Sequence, residues 1–285
     1  MSTVSSKEPP RFIPPQIRER LKAIEEKMKL VRHRLVVMSG KGGVGKSFIA
    51  SNLAVALATL GLKVGLMDVD FHGPSTPRML GLKGRKLVVT TEGIEPAEGP
   101  LGVKVMSLDF LLPSSDTPVI WRGPLKTTAI MQFVSDVNWG QLDFLVIDMP
   151  PGTGDEALTV AQYLPKVDGA IFVTIPSEVS VEVVSRSISF AKQVGIRPLG
   201  IIENMSGFFC PKCKTLYKVL GKSTGREIAE KYGVEFLGEI PLDPRIAEAN
   251  DKGQPIVLTY PDSEVSKRLM EIAKKIIALV ETPSK

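Results

Sequence analysis

Apolar positions along this chain switch between two periods, and the switches mark its elements. Over residues 16–33, Ile17, Leu21, Ile24, Met28 and Val31 recur at four-three spacing, the mark of an amphipathic helix with Arg and Lys on its other face. Two heptads are too few for a coiled coil, so the spacing predicts a helix docked on the domain that follows. Short strands, several of them continuously apolar, then alternate with helical patterns. The strands fall at 35–38, 63–68, 103–108, 143–148, 169–175, 198–203 and 235–240. One helix carries Ile49, Leu53, Ala56, Leu57 and Leu60 on one face and ends at Gly61, placed as a left-handed cap. Further helices are predicted over 126–137, 155–164, 179–194 with Gly195 as cap, and 224–232. A closing helix over 263–280 places Val265, Leu269, Ile272, Ile276 and Leu279 on one face, which suits packing on the sheet better than lying on a membrane surface. The stretch 81–100 reads as a polar, glycine-containing connection. Apolar strands alternating with helices predict an α/β fold, a doubly wound, mostly parallel sheet with helices on both faces. Residues 1–15, rich in Ser, Pro and charge, read as a flexible tail, 16–33 as the N-terminal helix, and 34–285 as a single domain.

Composition changes this picture little. The chain has 285 residues, 43% hydrophobic and 24% charged, ordinary values for a globular protein. Its net charge of +5 is scattered without a basic stripe, so no nucleic-acid partner is expected. The start is polar and no apolar run approaches membrane-spanning length, so neither an export signal nor a membrane partner is expected. Two cysteines then argue for a reducing, cytoplasmic setting. Trp121 and Trp139 read as core or interface aromatics.

The first strand leads into Gly40-Lys41-Gly42-Gly43-Val44-Gly45-Lys46-Ser47, with Phe48 behind it. This is the phosphate-loop form G-x-x-x-x-G-K-[ST] in the strand-to-helix context that the form requires. Its glycines let backbone N–H groups converge on phosphate oxygens, and the helix that follows offers the same anion its positive end. Lys46 is expected to reach the β- and γ-phosphates and the Ser47 hydroxyl to sit on Mg²⁺. A second Gly-Lys-Ser, at 221–223, is a decoy, because Leu216 stands where the first glycine is needed. In a doubly wound sheet ligands bind at the carboxyl ends of strands, where several acids fall. Asp148 is placed to hold Mg²⁺ through water, and Met149-Pro150-Pro151-Gly152-Thr153-Gly154-Asp155 suits a loop that senses the γ-phosphate. Asp68 and Asp70 end another strand and could orient the attacking water or assist with Mg²⁺, or one of them caps a turn.

Cys210 and Cys213 lie in Phe209-Cys210-Pro211-Lys212-Cys213-Lys214. Two thiolates can chelate one metal, but a closed tetrahedral site needs four ligands. The histidines, His33 and His72, lie elsewhere in the chain. A twofold dimer supplies the missing pair by presenting both cysteines from each subunit. Four sulfurs suit zinc or an iron–sulfur cluster, while a thioredoxin-like redox pair and two unligated thiols stay open.

These residues resemble a known family. Lys41, beside the usual Lys46, resembles the early lysine of the deviant phosphate loop in dimeric ATPases of the nitrogenase iron protein and MinD/ParA class. Further matches are Asp68-Val69-Asp70-Phe71-His72-Gly73-Pro74-Ser75, Ile120-Trp121-Arg122-Gly123-Pro124, the Pro-Pro-Gly-Thr-Gly-Asp after Asp148, Glu203-Asn204-Met205-Ser206 before the cysteines, and Ile240-Pro241-Leu242-Asp243-Pro244-Arg245-Ile246. Together they narrow the resemblance to the Mrp (ApbC-like) iron–sulfur cluster carrier ATPases, over about residues 34–280. The resemblance implies a cytoplasmic homodimer that binds ATP or ADP with Mg²⁺, hydrolyses ATP slowly and passes a cluster to apo-proteins. It implies that Lys41 reaches the partner's nucleotide and that Asp70 sits by the hydrolytic water. Asn204 would contact adenine, with Pro241 and Asp243 near base and ribose. Cys210 and Cys213 would bind a [4Fe–4S] cluster bridging two subunits, with zinc possible in aerobic preparations. A MinD/ParA-like positioning ATPase and a zinc-bridged dimeric ATPase are the alternatives. The tail lacks the N-terminal cysteine set of some eukaryotic relatives, so no second cluster is expected.

Overall fold

A computed structural model of the chain describes residues 15–70, 73–111, 123–210, 212–213 and 215–282. The tail before Pro15, the Phe71-His72 pair, Trp121-Arg122, Pro211 and Lys214 therefore lie outside the described residues.

The elements in chain order are α1 (Pro15–Met28), β1 (Val31–Ser39), α2 (Lys46–Thr59), β2 (Val64–Asp68), α3 (Thr76–Met79), β3 (Val88–Thr90), β4 (Gly93–Glu95), β5 (Ala97–Glu98) and β6 (Lys104–Ser107). They continue with α4 (Gly123–Ser135), β7 (Leu142–Asp148), α5 (Asp155–Tyr163), β8 (Gly169–Thr174), α6 (Glu178–Gln193), β9 (Pro198–Phe209) and β10 (Leu216–Tyr217). The last are α7 (Gly225–Tyr232), β11 (Glu235–Leu242), α8 (Pro244–Asp251), α9 (Ile256–Thr259) and α10 (Glu264–Glu281).

β1 lies at the middle of the main sheet, whose order is β10-β9-β8-β1-β7-β2-β6-β5, with β11 pairing along β9. The pairs from β9 through β6, and β11 with β9, are parallel, while β5 and β10 pair antiparallel with β6 and β9. Leu35, Val36, Val37 and Met38 are all buried, and successive strand residues point to opposite faces, so helices must cover both. α2 packs with α10, and α10 also packs on β11; α4 packs with both α1 and α5, α6 lies on β8 and β9, and α7 on β9. The expected mostly parallel sheet is thus the one observed. Val265, Leu269, Ile272 and Ile276 of α10 are buried against it, and Trp139 sits in the core with its indole N–H donating to the Phe133 carbonyl. No helix among the described residues is long and apolar enough to cross a membrane.

Three expectations need correction. The N-terminal helix stops at Met28 instead of reaching His33. Val31 and His33 belong to β1, opposite Leu142 and Phe144, and the Arg34 guanidinium donates to the Met28 carbonyl at the helix end. The four-three spacing ran on into a strand because Val31 has to be apolar in either setting. The remaining helix does dock, through buried Ile24 and Met28. The stretch 81–100 is not bare connection, since β3 and β4 form a hairpin and β5 borders β6. Finally, β9 continues to Phe209, well past Glu203, and α8, α9 and β10 had no counterpart in the pattern.

Candidate nucleotide site and cysteine pair

β1 delivers the glycine-rich loop, and α2 begins at Lys46 itself. Two glycines there are dictated by space. A Cβ on Gly40 would stand 2.6 Å from the Val183 backbone of α6. Gly45 has φ +80°, and a Cβ on it would fall 2.2 Å from Asn204 Nδ2. The loop opens onto a cavity of about 220 Å³ bounded by residues 41–48 together with Asp70, Ser75, Met79 and Pro151. Ser39 Oγ donates to the Lys41 carbonyl at 3.0 Å, and the Gly152 N–H donates to the Ser39 carbonyl at 2.8 Å. The loop after Asp148 is thereby tied to the strand that carries the phosphate loop.

Lys46 is the cationic centre of an acidic cluster. Its ammonium donates to Asp148 Oδ1 at 2.5 Å and lies 3.8 Å from Asp70 Oδ2. Lys46 is 6% exposed, Asp68 1% and Asp148 0%, so these charges meet with little water between them. Parallel register sets Asp68 beside Asp148, and both end their strands at the same edge. Asp68 accepts from the Asp70 N–H at 3.1 Å and from the Ser107 hydroxyl at 3.2 Å. Burial pulls the Lys46 ammonium down, but Asp148, Asp70 and Asp68 outweigh it, so its pKa rises and it stays protonated. Burial, with Asp148 next to it, pushes Asp68 up to about 7. Among the described residues Asp148 Oδ2 is buried without a hydrogen-bond partner, and the neighbouring Ser47 hydroxyl, with Lys46, acts to lower the pKa of the same carboxylate. These hard oxygen donors fit Mg²⁺.

The raised Asp68 has a measurable consequence in the chain free of metal and nucleotide. Between about pH 4 and pH 7 the unfolded chain loses this proton while the folded chain keeps it, so stability falls as pH rises through that window. Asp68→Asn removes that slope, and its urea midpoint should drop less than that of the parent chain between pH 5 and pH 8. Parallel profiles for the two proteins would refute the assignment.

The other expected residues sit along the same edge. Asn204 on β9 is buried and donates through Nδ2 to the Val44 carbonyl at 2.9 Å. The next residue, Met205, has φ +57°, a left-handed conformation that side chains rarely adopt. Asp243 caps α8 by accepting from the Arg245 N–H, and its two oxygens also take the Arg245 guanidinium at 2.6 to 3.2 Å. That fork holds Asp243 below the usual carboxylate range. Pro241 and Asp243 line a separate cavity of about 440 Å³ that also includes Cys210. The decoy at 221–223 is exposed or half-exposed, and the helix end behind it is filled by the chain's own carboxylate: Glu203 Oε2 accepts from the N–H groups of Thr224 and Gly225.

Cys210 follows β9 and is half-buried, while Cys213 is exposed. The Cys210 N–H donates to the Thr215 carbonyl at 3.0 Å, and hydrogen bonds from Thr215 and then Cys210 bring the Cys213 thiol down to about 7. Phe209, Leu216, Tyr217, Val219 and Leu220 are all exposed around the pair. Among the described residues no group of three or more His, Cys, Asp and Glu could hold a metal, so one chain offers two sulfurs and no more. Sequence reasoning missed Ser107 and Arg245. Ser107 carried a usable signal, as the last residue of a strand at the ligand edge; Arg245 follows Asp243 by two positions, where a cap is read.

A glycine-rich loop between β1 and α2, a lysine among strand-end aspartates and a parallel sheet define a P-loop NTPase. A family model described as ParA, NUBPL iron-transfer P-loop NTPase, matches residues 30–277, and the chain belongs to that family. An "Iron-sulfur cluster carrier protein" of Saccharolobus solfataricus is 56% identical over 91% of this chain and 88% of its own length. The bovine "Cytosolic Fe-S cluster assembly factor NUBP2" is 46% identical over 89% of this chain and 94% of its own. A nucleotide-binding protein of Archaeoglobus fulgidus, solved with ADP and with cobalt, superposes at TM-score 0.74 with 43% identity, covering 82% of this chain and 91% of that one. The cell-division ATPase MinD of Pyrococcus furiosus, 24% identical over 87% of this chain and 99% of its own, shares the fold at TM-score 0.65.

Proposed function

We propose that this chain is an ATP-hydrolysing iron–sulfur cluster carrier that acts as a homodimer in the cytoplasm and delivers its cluster to apo-proteins. The observation that carries the reading is the meeting, on one sheet edge, of a built phosphate site and a pair of thiols, one half-buried and one exposed, linked by the Asn204 bond to the loop. The names of the relatives from Saccharolobus and cattle support the cargo, and the bovine name supports the compartment.

In this reading the loop N–H groups and Lys46 hold the phosphates, and Ser47 and Asp148 hold Mg²⁺, which neutralises phosphate charge when bound. That cation also answers an electrostatic need, because Asp68, Asp70 and Asp148 together outnumber Lys46 and repel a bare triphosphate. Asp70 stands at the cavity wall to orient water, and Asn204 holds the loop while facing the base. Two subunits contribute Cys210 and Cys213 each, giving the four sulfurs that a [4Fe–4S] cargo requires. The exposed apolar residues around the thiols suit burial between subunits.

Anaerobic reconstitution with iron and sulfide tests this. The parent dimer should take up iron and sulfide in equal amounts with a broad visible absorption band. Cys210→Ala should lose that iron while keeping ADP binding, and a full iron complement in the variant would end the bridging proposal. Stoichiometric zinc without visible absorption in the parent chain would favour a zinc staple.

A further inference from the structure

β9 and β11 run parallel as far as the pairing of Phe208 with Leu242. Beyond it lies the cavity of about 440 Å³, with Phe208, Phe209 and Cys210 contributed by one strand end and Pro241, Asp243 and Arg245 by the other. We propose that the Cys210 thiol forms part of the wall against which the base of the bound nucleotide lies, so that nucleotide occupancy closes access to this metal-binding sulfur. The proposal rests on the nucleotide and metal roles given above and adds a direct contact between the two ligands.

Three observations carry it. First, β9 itself connects the sites. Asn204 is hydrogen-bonded to the phosphate loop at Val44, and Phe208 stands four residues further on, about 13 Å along a strand. A nucleoside diphosphate seated on the loop can span that distance. Second, the cavity has the chemistry of a base and sugar site: aromatic and proline faces for a planar ring, and one polar couple for hydroxyls. Asp243 accepts from Arg245 through both oxygens but retains lone pairs for a ribose hydroxyl. Third, Cys210 is held in place, since its N–H is bonded to the Thr215 carbonyl and its strand is paired up to the preceding residue. Cys210 is half-buried and is one of the residues that line the cavity. Coupling between bound ligands is reciprocal, so metal on Cys210 must change nucleotide affinity by the factor with which nucleotide changes metal affinity.

The test uses the full-length, metal-free Cys213→Ser chain, in which Cys210 is the remaining thiol of the two in the sequence. Its alkylation by iodoacetamide is followed at fixed pH alone, with saturating ADP, and with saturating tripolyphosphate, which engages the loop but carries no base. ADP should slow alkylation at least about fivefold, the lower range of inter-site coupling, and tripolyphosphate should not. Equal slowing by both, or none by ADP whose binding is verified by equilibrium dialysis, overturns the proposal. Subunit pairing could shield the thiol without base contact, so photolabelling with 2-azido-ADP supplies a second readout. Adducts should fall within 208–210 or 241–245, and adducts confined to other segments overturn the proposal. A peptide that protects Cys210 while ADP does not would make the cavity a partner site and also overturns it. The assay contains no metal, so a failure of iron uptake would sink the carrier reading while leaving the contact between base and thiol to be decided by the alkylation and photolabelling results.

Discussion

Lys46→Ala is expected to abolish measurable ATP hydrolysis, at least about a thousandfold below the parent chain, the scale on which a phosphate-clamping cation acts in phosphoryl transfer. The same substitution should also destabilise the fold. Among the described residues Lys46 is the one cation in hydrogen-bonding contact with Asp148, and Asp148 and Asp68 are buried beside each other. Removing one partner of a buried pair leaves an uncompensated charge and costs about 3–5 kcal/mol. That cost should shrink at pH 5, where the carboxylates can take up protons instead. Phosphate release and urea unfolding at pH 5 and pH 8 check both halves. If the variant is too unstable to assay at pH 8, Lys46→Arg keeps the charge and isolates the catalytic half. A Lys46→Ala protein within tenfold of parental hydrolysis would remove Lys46 from the site.

How much of this was legible in the sequence depended on how local each signal was. The phosphate loop is eight consecutive residues, and the alternation of strand and helix needs windows of about ten. Both could be read directly, as could the strand-end aspartates. The end of α1 was not, because Val31 satisfies a helical stripe and a buried strand equally, and the choice is made by Leu142, far along the chain. Asp243 was legible as part of a motif, but its grip on Arg245 depends on the start of α8, which the apolar period does not show. Ser107 reaches Asp68 because β6 happens to border β2, a neighbour relation that no periodicity reveals. The cavity beside Cys210 belongs to the same class. Its two walls come from strand ends separated in sequence by α7 and β10, and they meet only through the pairing of β9 with β11.

In the proposed homodimer Lys41 is the residue whose role depends on the second subunit. It is half-exposed in the loop and makes no ion pair or side-chain hydrogen bond among the described residues, whereas Lys46 is saturated with partners. A lysine that needs a second subunit to find its anion looks like this in a single chain. Lys41→Ala should therefore leave ADP affinity within a few-fold of parental, since Lys46 and the loop N–H groups remain. Hydrolysis should fall by about a thousandfold, as when a trans-acting cation is withdrawn from phosphoryl transfer. Mixing decides between action in trans and in cis. In a heterodimer of Lys41→Ala with Lys46→Ala subunits, the Lys41→Ala subunit keeps its own Lys46 and receives an intact Lys41 from its partner. One competent site per pair then forms, and hydrolysis should recover towards half the parental rate per dimer. A mixture as inactive as its two components, with heterodimers verified by differential tagging, would place Lys41 on its own subunit's nucleotide.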